Sequence, residues 1–219
     1  MADFVDNLTG ADTPQNAHDY GHEMSNSDQD VRNRFVATGT YVLPIGSGGL
    51  VLNNNGLASR LLGNWQTNAI VTLQTGEPFN VTATNLSDTG GNSASYANCI
   101  GDPFNGATKN PILYAGTHSP GFFINPAAFS SPTLGTFGSC RPRAWHGPGL
   151  EDVDLSLFKS FPIVHENRIE TRFEFFNAFN HPSFGNPAAN ISSSGASFGK
   201  VTTTTVAPRV IQIAIKYYF

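Results

Sequence analysis

The chain has 219 residues, of which only 13% are charged, and its formal net charge is −4. A weakly acidic chain has no basic field, so we expect no nucleic-acid partner. No run of about 18 apolar residues occurs, which argues against a transmembrane helix but leaves open strands that cross a membrane with alternating hydrophobicity. The 17 Phe residues favour β-structure, because aromatic side chains suit a pleated surface.

Residues 1–31 are polar and acidic, and they are interpreted as the remnant of a polar extracellular loop. The start has neither the basic nor the apolar region of a signal peptide, so we expect the chain to belong to a longer exported protein. His18, His22 and Glu23 have a spacing that could bind a metal on a helix. Tyr20 and Gly21 argue against a helix there, and we expect exposed loop residues with no metal or other cofactor.

Two strands are predicted next, near residues 32–44 and 62–75. RNRFVATGTYVLP alternates residue by residue, and Pro44 with the run IGSGG ends it. NWQTNAIVTLQTG places Trp65, Val71 and Leu73 on one face of the second strand.

A long irregular stretch, residues 83–148, follows and is rich in Gly, Pro, Asn and Ser. It contains both cysteines, Cys99 and Cys140, which have no further Cys or His at zinc-type spacing. They are either two free thiols or one loop-closing disulfide. We favour the disulfide, as expected in an oxidising compartment.

Three more strands are predicted near residues 149–161, 166–178 and 208–219. The last, PRVIQIAIKYYF, has the strongest alternation in the chain. For residues 166–178 a helix is a second possibility, since Ile169, Phe173 and Phe176 also fit a helical spacing. The Phe content favours the strand.

These strands fit a membrane β-barrel better than a soluble sandwich. They are long enough to cross a bilayer at a tilt, about 9–11 residues, and long and short links alternate as they do between extracellular and periplasmic sides. One face carries charges such as Glu170 and Arg172, which a water-filled lumen tolerates. The residues predicted to face lipid are Trp65, Val71, Leu73, Val153, Leu155, Leu157, Ile169, Phe173, Phe175, Ile211, Ile213 and Ile215.

Five blocks of the sequence resemble, in order, the last strands of TonB-dependent receptors of the Oar-like group, whose full chains carry a carboxypeptidase-regulatory-like domain. The blocks are VRNRFVATGTYVLP, GEPFNV, GPGLEDVDLSLFKSFPI, RFEFFNAFNHPSFGNP and PRVIQIAIKYYF. The resemblance implies a barrel of about 22 strands in the outer membrane of a Gram-negative-type bacterium, with a plug inside it. Residues 32–219 would be the C-terminal segment of that barrel, an all-β antiparallel fold that is only part of a barrel.

The resemblance also implies the function and the partners. The intact protein would take up a large ligand, and the TonB complex would couple energy through the missing N-terminal part. The other partners would be outer-membrane lipid and the barrel assembly machinery, which reads a last strand ending in aromatic residues, here Tyr217 and Phe219. We expect no enzyme activity and no catalytic residue. The alternative is a secreted all-β binding module, perhaps for carbohydrate.

Overall fold

The computed structural model describes residues 2–3, 14–16, 18–54, 56–87, 95–107 and 121–219. The chain forms two compact units, each built from separate segments. The first unit contains residues 1–33, 74–150 and 183–205, and the second contains residues 34–73, 151–182 and 206–219.

Five long strands form one sheet. They are β3 (Arg34–Val42), β4 (Gln66–Gln74), β9 (Leu150–Pro162), β10 (Arg168–Phe176) and β11 (Val210–Tyr218). Their order across the sheet is β11-β10-β9-β4-β3, so strands that follow one another among these five are neighbours. The predicted all-β fold and its five strands are confirmed, and the helical alternative for residues 166–178 is wrong.

The register within the sheet is antiparallel. Phe173 of β10 lies opposite Ile213 of β11 on one side and opposite Leu157 of β9 on the other. At the other edge, the amide of Leu43 donates to the carbonyl of Trp65 at 2.8 Å. Because side chains alternate between the two faces of a strand, this register determines which residues share a face.

The link between β3 and β4 contains a short helix, α2 (Leu57–Leu62), which the sequence did not lead us to expect. Gly63 follows the helix, and Asn64 has a positive φ of 57°, a conformation that asparagine tolerates better than most residues. Because the chain turns here, β4 begins only at Gln66, the residue after Trp65.

The described residues of the first unit form only short elements. Its strands are β1 (Ala2–Asp3), β2 (Ser25–Asn26), β5 (Pro78–Phe79), β6 (Asn98–Cys99), β7 (Phe129–Ser130) and β8 (Trp145–His146). Its helices are α1 (Tyr20–Glu23) and the 3-10 turns Pro126–Ala128 and Gly195–Ser197. No helix in the described part of the chain is long and apolar enough to cross a membrane.

The first unit nevertheless has a hydrophobic core of its own. Phe129 packs edge-on against Trp145 and Phe198, with ring centroids 5.4 and 5.8 Å apart. The buried hydrophobic residues are Phe79, Val81, Ala83, Tyr96, Ala97, Phe123, Ile124, Ala128, Phe129, Cys140, Phe198 and Val201. Residues 83–87, 95–107 and 121–148 therefore supply much of this core, although these described segments contain little regular structure.

A buried glutamine joins distant parts of this unit. The side-chain oxygen of Gln15 accepts from the amides of Tyr96 and Gly138, at 2.9 and 3.0 Å. Its side-chain nitrogen donates to the carbonyl of Gly138 at 3.0 Å. Gln15 thus provides hydrogen-bond partners for buried backbone groups of two segments that are distant in the sequence.

Candidate functional site

One face of the sheet is apolar over three neighbouring strands. Rows of side chains cross it in register: Leu155, Phe175 and Ile211 form one row, and Leu157, Phe173 and Ile213 form the next. Ile213 remains 64% exposed although it lies within a nine-residue strand. A face of this kind needs an apolar environment that the described residues do not supply.

The residues predicted to face lipid are brought together on this face. Trp65 belongs to it because its ring lies 5.9 Å from that of Phe173. Val153 follows by alternation along β9, and Val71 and Leu73 by alternation along β4 from Trp65. Ile169 and Ile215 lie on the same face by register.

The opposite face carries a network of charged residues. Arg172 Nε lies 2.5 Å from Glu170 Oε1, and Arg172 Nη1 lies 3.8 Å from Glu174 Oε1. The guanidinium of Arg172 also lies 5.5 Å from the ring centre of Phe158, and that of Arg168 lies 4.4 Å from that of Tyr218. Charged groups half-open to solvent suit a surface that meets water or a polar partner.

Lys159 is a charged residue on the apolar face that the sequence analysis did not single out. It lies opposite Thr171 in the register, between Leu157 and Phe161 along β9. Its Nζ donates to the carbonyl oxygens of Arg60, Leu61 and Gly63 at the end of α2. In the run LSLFKSF, Lys159 occupies a position where the alternation places apolar residues. This break in the pattern is the sequence signal that could have identified Lys159.

Cys99 and Cys140 are joined in a disulfide, with their Cα atoms 5.0 Å apart and 41 residues of sequence separation. Cys140 is fully buried in the core of the first unit. The amide of Cys99 donates to the Ser139 hydroxyl at 3.0 Å, and the amide of Ser139 donates to the side chain of Asn98 at 3.1 Å. The covalent link and these bonds hold the same two segments together.

The segment around His18, His22 and Glu23 differs from the expected loop, because α1 spans Tyr20–Glu23. The amide of His22 donates to the side chain of Asp19, which favours a helical turn. Glu23 is buried, and loss of solvent raises the pKa of its carboxyl above the ordinary value. No group of three or more metal-binding side chains occurs within the described residues.

The end of the chain is exposed. Phe219 is 98% exposed, and its ring stacks on that of Tyr217, with centroids 6.1 Å apart. Tyr217 lies opposite Ile169 and so belongs to the apolar face.

No curated protein and no solved structure matches the chain. The family described as outer membrane beta barrel domain matches residues 2–212, almost the whole chain. The antiparallel strands with one apolar and one charged face agree with this assignment. The chain therefore belongs to the outer membrane beta barrel domain family, and it is located in the cell outer membrane.

Proposed function

We propose that the chain is the C-terminal barrel portion of a TonB-dependent receptor of the Oar-like type, which takes up a large ligand across the outer membrane. Five sequence blocks resemble the last strands of such receptors in the correct order. The observation that carries the proposal is the open five-stranded sheet, whose edges are the nine-residue strands β3 and β11. Long edges of this kind need further strands, since unpaired edges promote aggregation.

The direction of the strands indicates how the sheet is completed. Among the five strands, each runs opposite to the next, so β3 and β11 point the same way. Direct pairing of β3 with β11 would make a parallel seam, whereas outer-membrane barrels are antiparallel. An odd number of further strands removes this conflict, as in a much larger barrel.

In this proposal the two faces have different partners. The apolar face meets outer-membrane lipid, and the face with Arg168, Glu170, Arg172, Glu174 and Lys216 lines the lumen. A wide, water-filled lumen accommodates such charges at little desolvation cost.

The secreted binding module is the weaker proposal. Its only support is the disulfide-linked core of the first unit. Membership in an outer-membrane barrel family weighs against it.

The proposal is tested by the length of the native polypeptide. An antibody raised against residues 150–219 should detect, in outer-membrane fractions of the source cells, a protein several times longer than 219 residues. The N-terminal part of that longer protein should contain a plug domain and a TonB box. A cysteine placed in the TonB box should crosslink to TonB in living cells. A band at 23.4 kDa, the mass of the present chain, would contradict the proposal.

A further inference from the structure

The link between β3 and β4 exposes an unusual number of aliphatic side chains. Leu57 on α2 is 73% exposed, and Leu50 before it is 87% exposed. Val51, Leu61 and Leu62 are also exposed. Arg60 is the only charged residue between positions 50 and 62. An exposed apolar patch of this kind marks a surface that contacts a partner or a membrane.

Lys159 attaches this link to the apolar face of the sheet. Lys159 is only 5% exposed, and three carbonyl oxygens from the end of α2 and Gly63 surround its ammonium group. The C-terminus of a helix carries partial negative charge, which compensates the cation where solvent does not. An unpaired lysine at this position would be costly, so the contact fixes α2 on this face.

Aromatic rings surround the same point. Lys159 Nζ lies 4.7 Å from the ring centre of Phe161 and 6.0 Å from that of Trp65. The indole nitrogen of Trp65 donates to the carbonyl of Leu61 at 3.2 Å. An amphipathic tryptophan beside a lysine is typical of the boundary between bilayer and water, where the ring face meets apolar chains and the indole nitrogen meets polar groups.

We propose that α2 and its flanking aliphatic residues form an interfacial anchor that inserts into the phospholipid leaflet of the outer membrane, with Arg60 directed toward lipid phosphates. The inference rests on the proposed function, in which the apolar face meets lipid. Continuity identifies the occupant: Lys159 belongs to that face, and α2 is bonded to Lys159.

The short turn between β9 and β10, residues 163–167, indicates which leaflet of the membrane the anchor meets. In outer-membrane barrels short turns are periplasmic. The link that carries α2 connects the same end of the sheet, because Lys159 lies three residues before the end of β9. The anchor therefore meets the periplasmic leaflet, and its ligand is a phospholipid surface.

Spin labels at single cysteines test the anchor in the native-length protein, reconstituted in phosphatidylethanolamine–phosphatidylglycerol vesicles. The native cysteines form a disulfide and do not react. A label at Leu61→Cys should collide more with oxygen, which dissolves in the bilayer, than with a water-soluble nickel complex. Leu57→Cys is the second position, should Leu61→Cys not fold. Glu166→Cys in the short turn should show the reverse preference.

Ile213→Cys separates the anchor from the proposed function. If position 213 prefers oxygen while positions 57 and 61 prefer nickel, the anchor is wrong and the lipid-facing sheet stands. If position 213 also prefers nickel, the lipid-facing sheet itself is wrong. Dipolar broadening at position 61 that disappears on dilution with unlabelled protein would identify a second copy as the occupant and overturn the lipid assignment.

Lys159→Met tests the attachment. It should shift the label at position 61 toward the nickel complex, because α2 loses its bond to the sheet. Lys216→Met, on the charged face opposite Glu170, is the matched control and should leave the label unchanged. An unchanged label in Lys159→Met would show that Lys159 does not hold the helix.

Discussion

Ile213 of β11 lies directly opposite Phe173 of β10, and its next neighbour Gln212 lies opposite Glu174 on the other face. The two adjacent residues of β11 thus meet different surroundings. If the apolar face meets lipid, the same substitution at positions 212 and 213 must have different effects.

Ile213→Arg should destabilise the membrane-inserted protein by about 2–4 kcal/mol, the cost of a lipid-facing arginine near the bilayer midplane. Gln212→Arg should cost little, since the new charge meets Glu174. The free energy of unfolding in phospholipid vesicles, measured by urea titration, checks this difference. Equal losses in the two variants would contradict the assignment of the faces.

The disulfide should contribute about 4 kcal/mol to the stability of the first unit, because it removes loop entropy from the unfolded chain across a separation of 41 residues. The double variant Cys99→Ser with Cys140→Ser should therefore be cut faster by protease within residues 95–140. Thiol labelling of the unreduced, denatured wild-type protein should find no reactive thiol. Two labelled thiols would show that the bond is not formed in the cell.

Asn177 should be the most sensitive polar residue of the second unit. It is buried with a positive φ of 48°, and its side chain bonds to the carbonyls of His181 and Ala207 and to the amide of His181. Asn177→Ala leaves these groups without partners, so we expect a loss on the order of 3 kcal/mol. The urea midpoint of the folded protein measures it.

Asn180 is the control for that substitution. It also has a positive φ, 52°, but it is exposed, and its side chain accepts from the amide of Arg209 at 3.0 Å. Asn180→Ala should cost markedly less than Asn177→Ala. Similar losses would mean that backbone strain, and not the buried bonds, determines the effect.

The sheet could be predicted from the sequence because a period of two is a local signal, as the run Ile211, Ile213, Ile215 illustrates. The role of Lys159 could not be predicted, because it depends on α2. The carbonyls that accept hydrogen bonds from Lys159 come from about 100 residues earlier in the chain. The core of the first unit could not be predicted from the sequence either. Phe129, Trp145 and Phe198 meet there from segments with no regular periodicity, and only tertiary contacts bring them together.

Phe219 follows β11, and its exposed ring stacks on that of Tyr217. We propose that the barrel assembly machinery binds this strand by adding it to the edge of its own sheet. Main-chain hydrogen bonds would then give affinity, and alternate side chains would give specificity. Phe219→Asp should lower the amount of native-length protein assembled in the outer membrane, whereas Phe219→Trp should be tolerated.

Heat-modifiable mobility on gels measures the assembled fraction of each variant. Phe179→Asp is the matched control, because Phe179 is also an exposed aromatic residue but lies in the link after β10. It should assemble as the wild type does, since it is not part of the strand that the machinery binds. Equal yields for Phe219→Asp and the wild type would show that the terminal aromatic residue is not an assembly signal in this protein.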